Sequence, residues 1–265
     1  MKKRLWRKCS WAMALVATAS MGMAQAAEPE SALTFNVGVV NNYLYRGISQ
    51  TRGDPAVQGG LDYAHRSGFY VGVWASSIKW IEDVGLPANR LSGPTELDIY
   101  AGYKFDLTPG IGMDVGYLRY EYLGNNVASF GGTNPNTDEI YLGMNTPLFN
   151  VKFSYATSNL FGQTVNTAPN VGASATGATY TEFSREFDLG GGYKLTPRAG
   201  MTSISKVTNA SYNDYSLTLA KEINPGLVLS VGYSGTNAIR GYYVSNLNNK
   251  YLGDQAAVVG LKYNF

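Results

Sequence analysis

The chain of 265 residues contains one cysteine, Cys9, and one histidine, His65. A single cysteine excludes a disulfide scaffold and a thiolate zinc cluster. A single imidazole excludes catalysis that needs two. His65 itself sits beside Arg66-Ser67-Gly68, where it reads as a turn residue rather than the base of a Ser-His pair. Charge is scarce as well: Asp, Glu, Lys and Arg make up 15% of the chain, against about 25% in an ordinary soluble domain. With 45% apolar residues the chain can bury a core, which excludes disorder. The glycines between Gly110 and Gly116 have the wrong spacing for a phosphate loop and open a strand instead. No metal-ligating constellation is present, so no cofactor is expected. What the chain has in excess is glycine and tyrosine, 31 and 20 residues.

The first stretch reads as an export signal. Residues 2–8 hold five basic side chains, Cys9–Met23 is apolar or small, and Ala24-Gln25-Ala26 offers a cleavage site. The apolar run is too short to span a bilayer comfortably. We therefore expect residues 1–26 to be a cleaved signal peptide and residues 27–265 to form one β-barrel domain. The remaining chain has 16 Lys and Arg against 19 Asp and Glu, so its net charge is −3. The mild basicity belongs to the leader, and no nucleic-acid partner is implied.

Beyond the leader no apolar run approaches about 18 residues, which excludes a transmembrane helix. Alternation of period two is everywhere. At the C-terminus Ala257, Val259, Leu261, Tyr263 and Phe265 share one face, opposite Val258, Gly260, Lys262 and Asn264. In TELDIYAGYKFDL, Leu97, Ile99, Ala101, Tyr103 and Phe105 oppose Glu96, Asp98, Tyr100, Gly102 and Lys104. The pattern predicts strands at about 34–45, 57–65, 68–79, 95–106, 110–122, 137–147, 149–157, 179–195, 197–206, 211–222, 226–235 and 255–265. Short turns and long loops alternate between them, with Leu195-Thr196-Pro197 expected as one of the turns. One strand has mixed parity: Met113, Val115 and Tyr117 lie on one face, then Leu118, Tyr120 and Tyr122 carry the apolar set. A bulge near Gly116 would reconcile them.

Apolar faces ending in aromatics, with no amphipathic helix to cover them, suit lipid. Unpaired backbone in hydrocarbon costs several kcal/mol per group, so a spanning sheet must close. The expected fold is all-β, a transmembrane antiparallel up-and-down barrel of twelve strands. Tyr43, Tyr45, Tyr63, Tyr103, Phe105, Tyr155, Tyr193, Tyr233 and Tyr263 are expected at its interfacial girdles.

The segment FNVGVVNNYLYRGISQTRGDPAVQGGLDYAHRSGFYVGVWAS resembles the opening of the TorF family of porin-like Gram-negative outer-membrane proteins. The residues that carry the resemblance include Tyr43, Arg46-Gly47, Ser49-Gln50, Asp54-Pro55-Ala56 and Asp62-Tyr63. Glu96-Leu97-Asp98-Ile99-Tyr100 and Asp138-Glu139-Ile140-Tyr141 extend it to about residue 145. Asn41-Asn42 stands where the family usually has an acidic residue. The resemblance implies an outer-membrane porin-like barrel and no catalytic site. It also implies that barrel-assembly machinery reads the terminal aromatics Tyr263 and Phe265.

Parity places Arg46, Glu96, Asp98, Arg119, Glu121, Glu139 and Glu182 inward near the long loops, as pore-lining candidates. Asp62, Lys104, Asp106, Lys152, Lys194, Arg198, Glu222 and Lys262 fall inward near the short turns. The first set is net acidic and the second net basic, so the expected channel passes small hydrophilic solutes or ions with a weak cation preference. The alternative is a barrel closed by its loops, acting as a membrane-anchored binding or structural protein. An enzyme is disfavoured. Expected partners are outer-membrane lipid and lipopolysaccharide, the assembly machinery and small solutes.

Overall fold

The computed structural model describes residues 32–85, 91–164, 172 and 174–265. The expected signal peptide lies outside them. Among the described residues twelve strands form one closed antiparallel barrel. They are β1 (Ala32–Val40), β2 (Ala56–Ala64), β3 (Phe69–Ser77), β4 (Thr95–Thr108), β5 (Ile111–Leu123) and β6 (Thr137–Asn145). The second half comprises β7 (Asn150–Ala156), β8 (Thr179–Ser184, continued by Phe187–Gly190), β9 (Tyr193–Ser203), β10 (Tyr212–Asn224), β11 (Leu227–Thr236) and β12 (Ala256–Asn264). Each strand pairs with its neighbours in sequence, and β1 closes the ring against β12, with Val37 opposite Tyr263. The amide of Phe265 donates to the Phe35 carbonyl at 2.9 Å and extends that seam. No helix among the described residues is long and apolar enough to cross a membrane.

The alternation read in the sequence is the inside-outside alternation of this wall. Val37, Val39, Ile99, Phe105, Leu217, Leu219, Val259 and Leu261 all face outward and exposed. Tyr63, Phe105, Tyr155, Tyr193, Tyr233 and Tyr263 also face outward. This leaves an apolar outer band of the kind a bilayer wets.

Four local expectations need correction. β1 stops at Val40, because Asn41 turns the chain: its side chain bonds the backbone of β12 at Ala257 and Val259. Tyr43 and Tyr45 are consequently not girdle residues; both are buried inside the barrel. β5 has no bulge at Gly116, and its register runs unbroken against β4 from Leu123 to Gly112. The irregularity lies lower, between Asp106 and Thr108. Finally, the turn between β8 and β9 is made by Gly190, Gly191 and Gly192, all at positive φ, and not by Leu195-Thr196-Pro197. Pro197 is tolerated inside β9 because its carbonyl accepts from Arg185, at the break between the two pieces of β8. Its missing N–H points to the same side, so the one ladder bond it cannot make falls at that break.

Part of the abundance of glycine and tyrosine comes from one packing arrangement in the lumen. Inward tyrosines lie flat across inward glycines of the next strand. Tyr100 covers Gly72, Tyr70 covers Gly102, and Tyr141 covers Gly116, each pair being direct cross-strand partners. Tyr180 covers Gly200 diagonally between β8 and β9, where the direct partner of Gly200 is Glu182. A Cβ at Gly102 would meet the Tyr70 phenol and also the Val115 carbonyl at 2.7 Å. At Gly112 it would meet nothing nearer than 3.8 Å. Gly102→Ala should therefore destabilise the barrel by about 1–3 kcal/mol, the usual cost of overpacking. Gly112→Ala should stay within about 0.5 kcal/mol. Urea unfolding followed by the mobility shift on heating checks the pair, and equal midpoints would refute the packing account.

Candidate functional site: the lumen and its inserted loop

Loop 1, residues 41–55, folds into the barrel rather than standing above it. Asn42 accepts hydrogen bonds from Ser49 Oγ at 2.6 Å and Thr51 Oγ1 at 3.3 Å, and the Gln50 amide bonds the Tyr43 carbonyl at 2.8 Å. Between them a two-residue ladder pairs Leu44-Tyr45 with Ile48-Ser49. Its turn residues Arg46 and Gly47 have φ of 48° and 79°. Two successive left-handed residues make the tight hairpin turn that usually demands Asn-Gly. Gly47 is required twice over, because a Cβ there would collide with Thr236 and Asp214. The loop tip thus crosses the lumen from β1 to the far wall.

At the tip, Arg46 Nη2 donates to both carboxylate oxygens of Glu139 on β6, at 2.9 and 2.8 Å. Its guanidinium lies over the rings of Tyr45 and Tyr180, 4.8 and 4.2 Å from their centroids. Tyr43 donates to Glu96 at 2.7 Å, and the hydroxyls of Tyr45 and Tyr120 share a 2.8 Å hydrogen bond. The loop is therefore anchored to β4, β5 and β6 by phenols and one ion pair.

The other expected residues divide between the two faces. Glu96, Asp98, Glu139 and Glu182 face inward and are buried. Asp62 faces inward and accepts from Tyr100 at 2.5 Å. Lys104 and Lys152 lie over the inward rings of Tyr70 and Tyr141. Lys194 pairs with Glu186 at 2.6 Å. Arg198 is buried between Glu182, at 3.2 Å, and Asp214, at 2.8 Å. Lys262 shares the inward face of β12 with Val258 and Gly260, and Tyr263 and Phe265 face outward.

Arg119 and Glu121 are corrections. With no bulge in β5 the parity carries both to the outer surface, where Arg119 pairs with Glu121 at 2.8 Å and Asp138 at 3.0 Å. Tyr120 and Tyr122 take the inward positions instead. Sequence reading missed the inward acids Asp114 and Asp214, both 3% exposed. The signal was present in Tyr212-x-Asp214-x-Ser216-x-Thr218, whose alternate residues all face the lumen. Six buried acids, Glu96, Asp98, Asp114, Glu139, Glu182 and Asp214, thus surround three bases, Arg46, Lys152 and Arg198. Asp98 Oδ1 takes no hydrogen bond from the described residues. Among the described residues no group could hold a metal ion.

Two spaces adjoin the loop. A gap of about 30 Å³ runs beside Asn42 and Tyr43 along a wall of small hydroxyls, Ser216, Thr218, Ser230 and Ser234. On the loop side of Arg46 lies a larger cavity of about 210 Å³, lined mostly by aromatic and aliphatic side chains. Its rim is fixed by α1 (Trp80–Val84) in the second loop. Arg52 of loop 1 pairs with Asp83 at 2.5 Å, and Ser245 of the last loop donates to Asp83 at 2.6 Å. Further out, Lys79 donates to Asp54 at 2.5 Å and holds that carboxyl below its usual range.

Arg198→Leu would leave Glu182 and Asp214 buried and uncompensated. It should cost about 3–5 kcal/mol, whereas Arg119→Leu, on the outer rim, should cost no more than about 1 kcal/mol. Urea midpoints of the two variants check the assignment of faces; a larger loss for Arg119 would reverse it.

Among solved structures, the chain is similar to the NanC porin, at 9% identity with a TM-score of 0.56 over 88% of this chain and 99% of that one. It is also similar to the KdgM porin in complex with disordered oligogalacturonate, at 8% identity and a TM-score of 0.52, covering 88% and 98%. At such identities the likeness concerns the fold: a closed twelve-strand antiparallel barrel. No curated protein matches the chain. A family model described as a bacterial protein of unknown function, Gcw_chp, matches residues 24–265, and the chain belongs to that family.

Proposed function

We propose that the protein is an outer-membrane channel for small hydrophilic solutes or ions, with a weak preference for cations and a constriction formed by loop 1. The observation that carries this reading is the gap of about 30 Å³ between loop 1 and the hydroxyls of β10 and β11, next to an excess of buried carboxylates. Fixed charge in a narrow, low-dielectric passage biases small ions. The apolar outer band and the leader support an outer-membrane location, with lipid and lipopolysaccharide around the barrel. The resemblance over the first 145 residues supports a place close to the TorF proteins. Porin-like neighbours and the lack of paired catalytic groups support a non-enzymatic role. A second reading, a closed barrel serving as a membrane-anchored binding or structural protein, is favoured by the density of the Tyr-carboxylate network. In that case the gap holds only water.

Conductance in a planar bilayer separates the two. The channel reading expects small unitary steps that grow when Arg46→Ala releases the loop tip; no steps from either protein would leave the closed barrel. Asp98→Asn should reduce cation preference and shift the reversal potential in a salt gradient. The difference should vanish at 1 M salt, where the Debye length falls to about 3 Å. An unchanged reversal potential in a conducting Asp98→Asn channel would show that this carboxylate does not act on the pathway.

For assembly, the terminal Tyr263-x-Phe265 pair is proposed as the segment read by the assembly machinery. Deleting Phe265 should lower the yield of heat-modifiable protein in membranes. Unchanged yield would count against that role.

A further inference from the structure

The cavity on the loop side of Arg46 has a chemistry that the channel reading does not use. Two separate clusters of edge-to-face rings line it. Trp80, Tyr122 and Phe161 form one, with centroid separations of 5.0 to 6.3 Å. Tyr212, Tyr242 and Tyr243 form the other, at 4.9 and 5.0 Å. Tyr122 is the last residue but one of β5 and Tyr212 begins β10, five places apart around a ring of twelve, so the clusters face each other from nearly opposite walls. Phe161 holds φ at 50°, a conformation that a bulky residue seldom adopts and that marks a constrained position.

The polar groups at this cavity are few and mostly engaged. Tyr242 donates to Gln163 at 2.9 Å, Tyr243 donates to the Ala210 carbonyl, and Gln50 donates to the Ile48 carbonyl at 3.0 Å. The phenols therefore present rings, not free hydroxyls. Arg46 is different. Both of its hydrogen bonds leave from Nη2, so Nη1 and Nε keep donor capacity on a guanidinium that is 7% exposed and lines the cavity.

We propose that this cavity binds an uncharged monocyclic aromatic compound bearing one hydrogen-bond-accepting oxygen, with the ring between the two aromatic clusters and the oxygen on Arg46. Size fits: an apolar cavity of about 150 Å³ takes benzene, so about 210 Å³ takes one six-membered ring and a small substituent. Charge and polarity exclude the alternatives. A sugar would bury several hydroxyls in a cavity whose phenols are engaged and whose ring donors offer only the unpaired Trp80 Nε1, each unmatched hydroxyl at a cost of about 1–3 kcal/mol. A cation would meet Arg46 in the wall. An anion would meet Glu139, which already neutralises Arg46, and the acidic lumen below it. Occupation of the mouth of a channel also obstructs it, and that consequence alone rests on the channel reading.

Beyond residue 26 the chain has only two tryptophans, Trp74 and Trp80. In a Trp74→Phe background, fluorescence of the detergent-purified protein therefore reports on the cavity. Benzamide should quench it saturably, and more tightly than benzoate, benzyltrimethylammonium or glucose. Arg46→Met should weaken benzamide binding about tenfold, the worth of a hydrogen bond to a charged donor. Phe161→Ala, which leaves the Arg46–Glu139 pair intact, should weaken it comparably and guards against collapse of loop 1 in the first variant. Absence of saturable quenching in folded protein overturns the proposal. So does tighter binding of benzoate, of the ammonium or of glucose. In a planar bilayer benzamide should lower the conductance. Quenching without conductance would sink the channel and keep the site, whereas conductance without quenching would do the reverse.

Discussion

A guanidinium inside a barrel needs a carboxylate, and the position of Arg46 follows from that need. Leaving one charge of a buried pair without its partner costs about 3–5 kcal/mol, more than the strain of a left-handed Arg, which is of order 1–3 kcal/mol. Glu139 therefore holds the hairpin tip across the lumen even though Arg is a poor residue for that turn. Everything between the tip and β1 is then committed. Tyr43 and Tyr45 must face the acids of β4 and the phenol of β5, and Gln50 is placed to receive the amides of Lys79 and Trp80 at 2.7 and 3.0 Å. The second loop is seated by that contact, and the last loop by Asp83. One ion pair in the lumen thus fixes the mouth.

The lumen has to be filled without leaving polar atoms stranded, and tyrosine does this better than an aliphatic side chain. Its ring covers area while its hydroxyl reaches a carboxylate: Tyr70 to Asp114 at 2.7 Å, Tyr100 to Asp62 at 2.5 Å. The ring must lie along the wall to leave space at the centre, which requires the next strand to offer no Cβ. Glycine at the paired position is the consequence. The same logic lowers the need for bases, since Asp62, Glu96 and Asp114 are answered by phenols, while Glu139, Glu182 and Asp214 share Arg46 and Arg198.

Strand pattern was legible wherever lipid and lumen impose opposite chemistry on alternate residues, as in β4 and β12. It failed where both sides accept the same residue. In β5 the lumen accepts Leu118, Tyr120 and Tyr122, so an apolar set on the inner face looked like a change of parity and suggested a bulge that does not exist. Loop 1 was misread for a related reason. Asn41-Asn42 interrupts an alternation that Tyr43 and Tyr45 resume, and period alone cannot tell a strand that continues from a hairpin that turns inward. The Arg46-Gly47 dipeptide was the available signal, but Arg is not a residue that announces a left-handed turn. At the β8–β9 turn the proline outweighed the three glycines, because nothing local reveals that Pro197 faces a gap in its neighbour. The pairing of Arg46 with Glu139, 93 residues apart, had no sequence signal at all.

The field along the axis is graded by these same contacts. At the mouth Arg46 and Glu139 cancel, and the rings around them carry no net charge. Below, the remaining five acids exceed the two bases Lys152 and Arg198, and Asp98, whose Oδ1 takes no hydrogen bond from the described residues, is the least compensated of them. Toward the turns Lys104, Lys194 and Lys262 add positive charge, yet Lys104 rests on the Tyr70 ring and Lys194 is paired with Glu186. Charges held in this way contribute less to the open space than their number suggests, because each has a partner within 5 Å. The charge along the axis thus runs from a neutral mouth through an acidic waist to a muted basic end. At that waist the hydroxyls of Ser216, Thr218, Ser230 and Ser234 on β10 and β11 line one gap together with Arg198, so a buried charge borders the small polar side chains there.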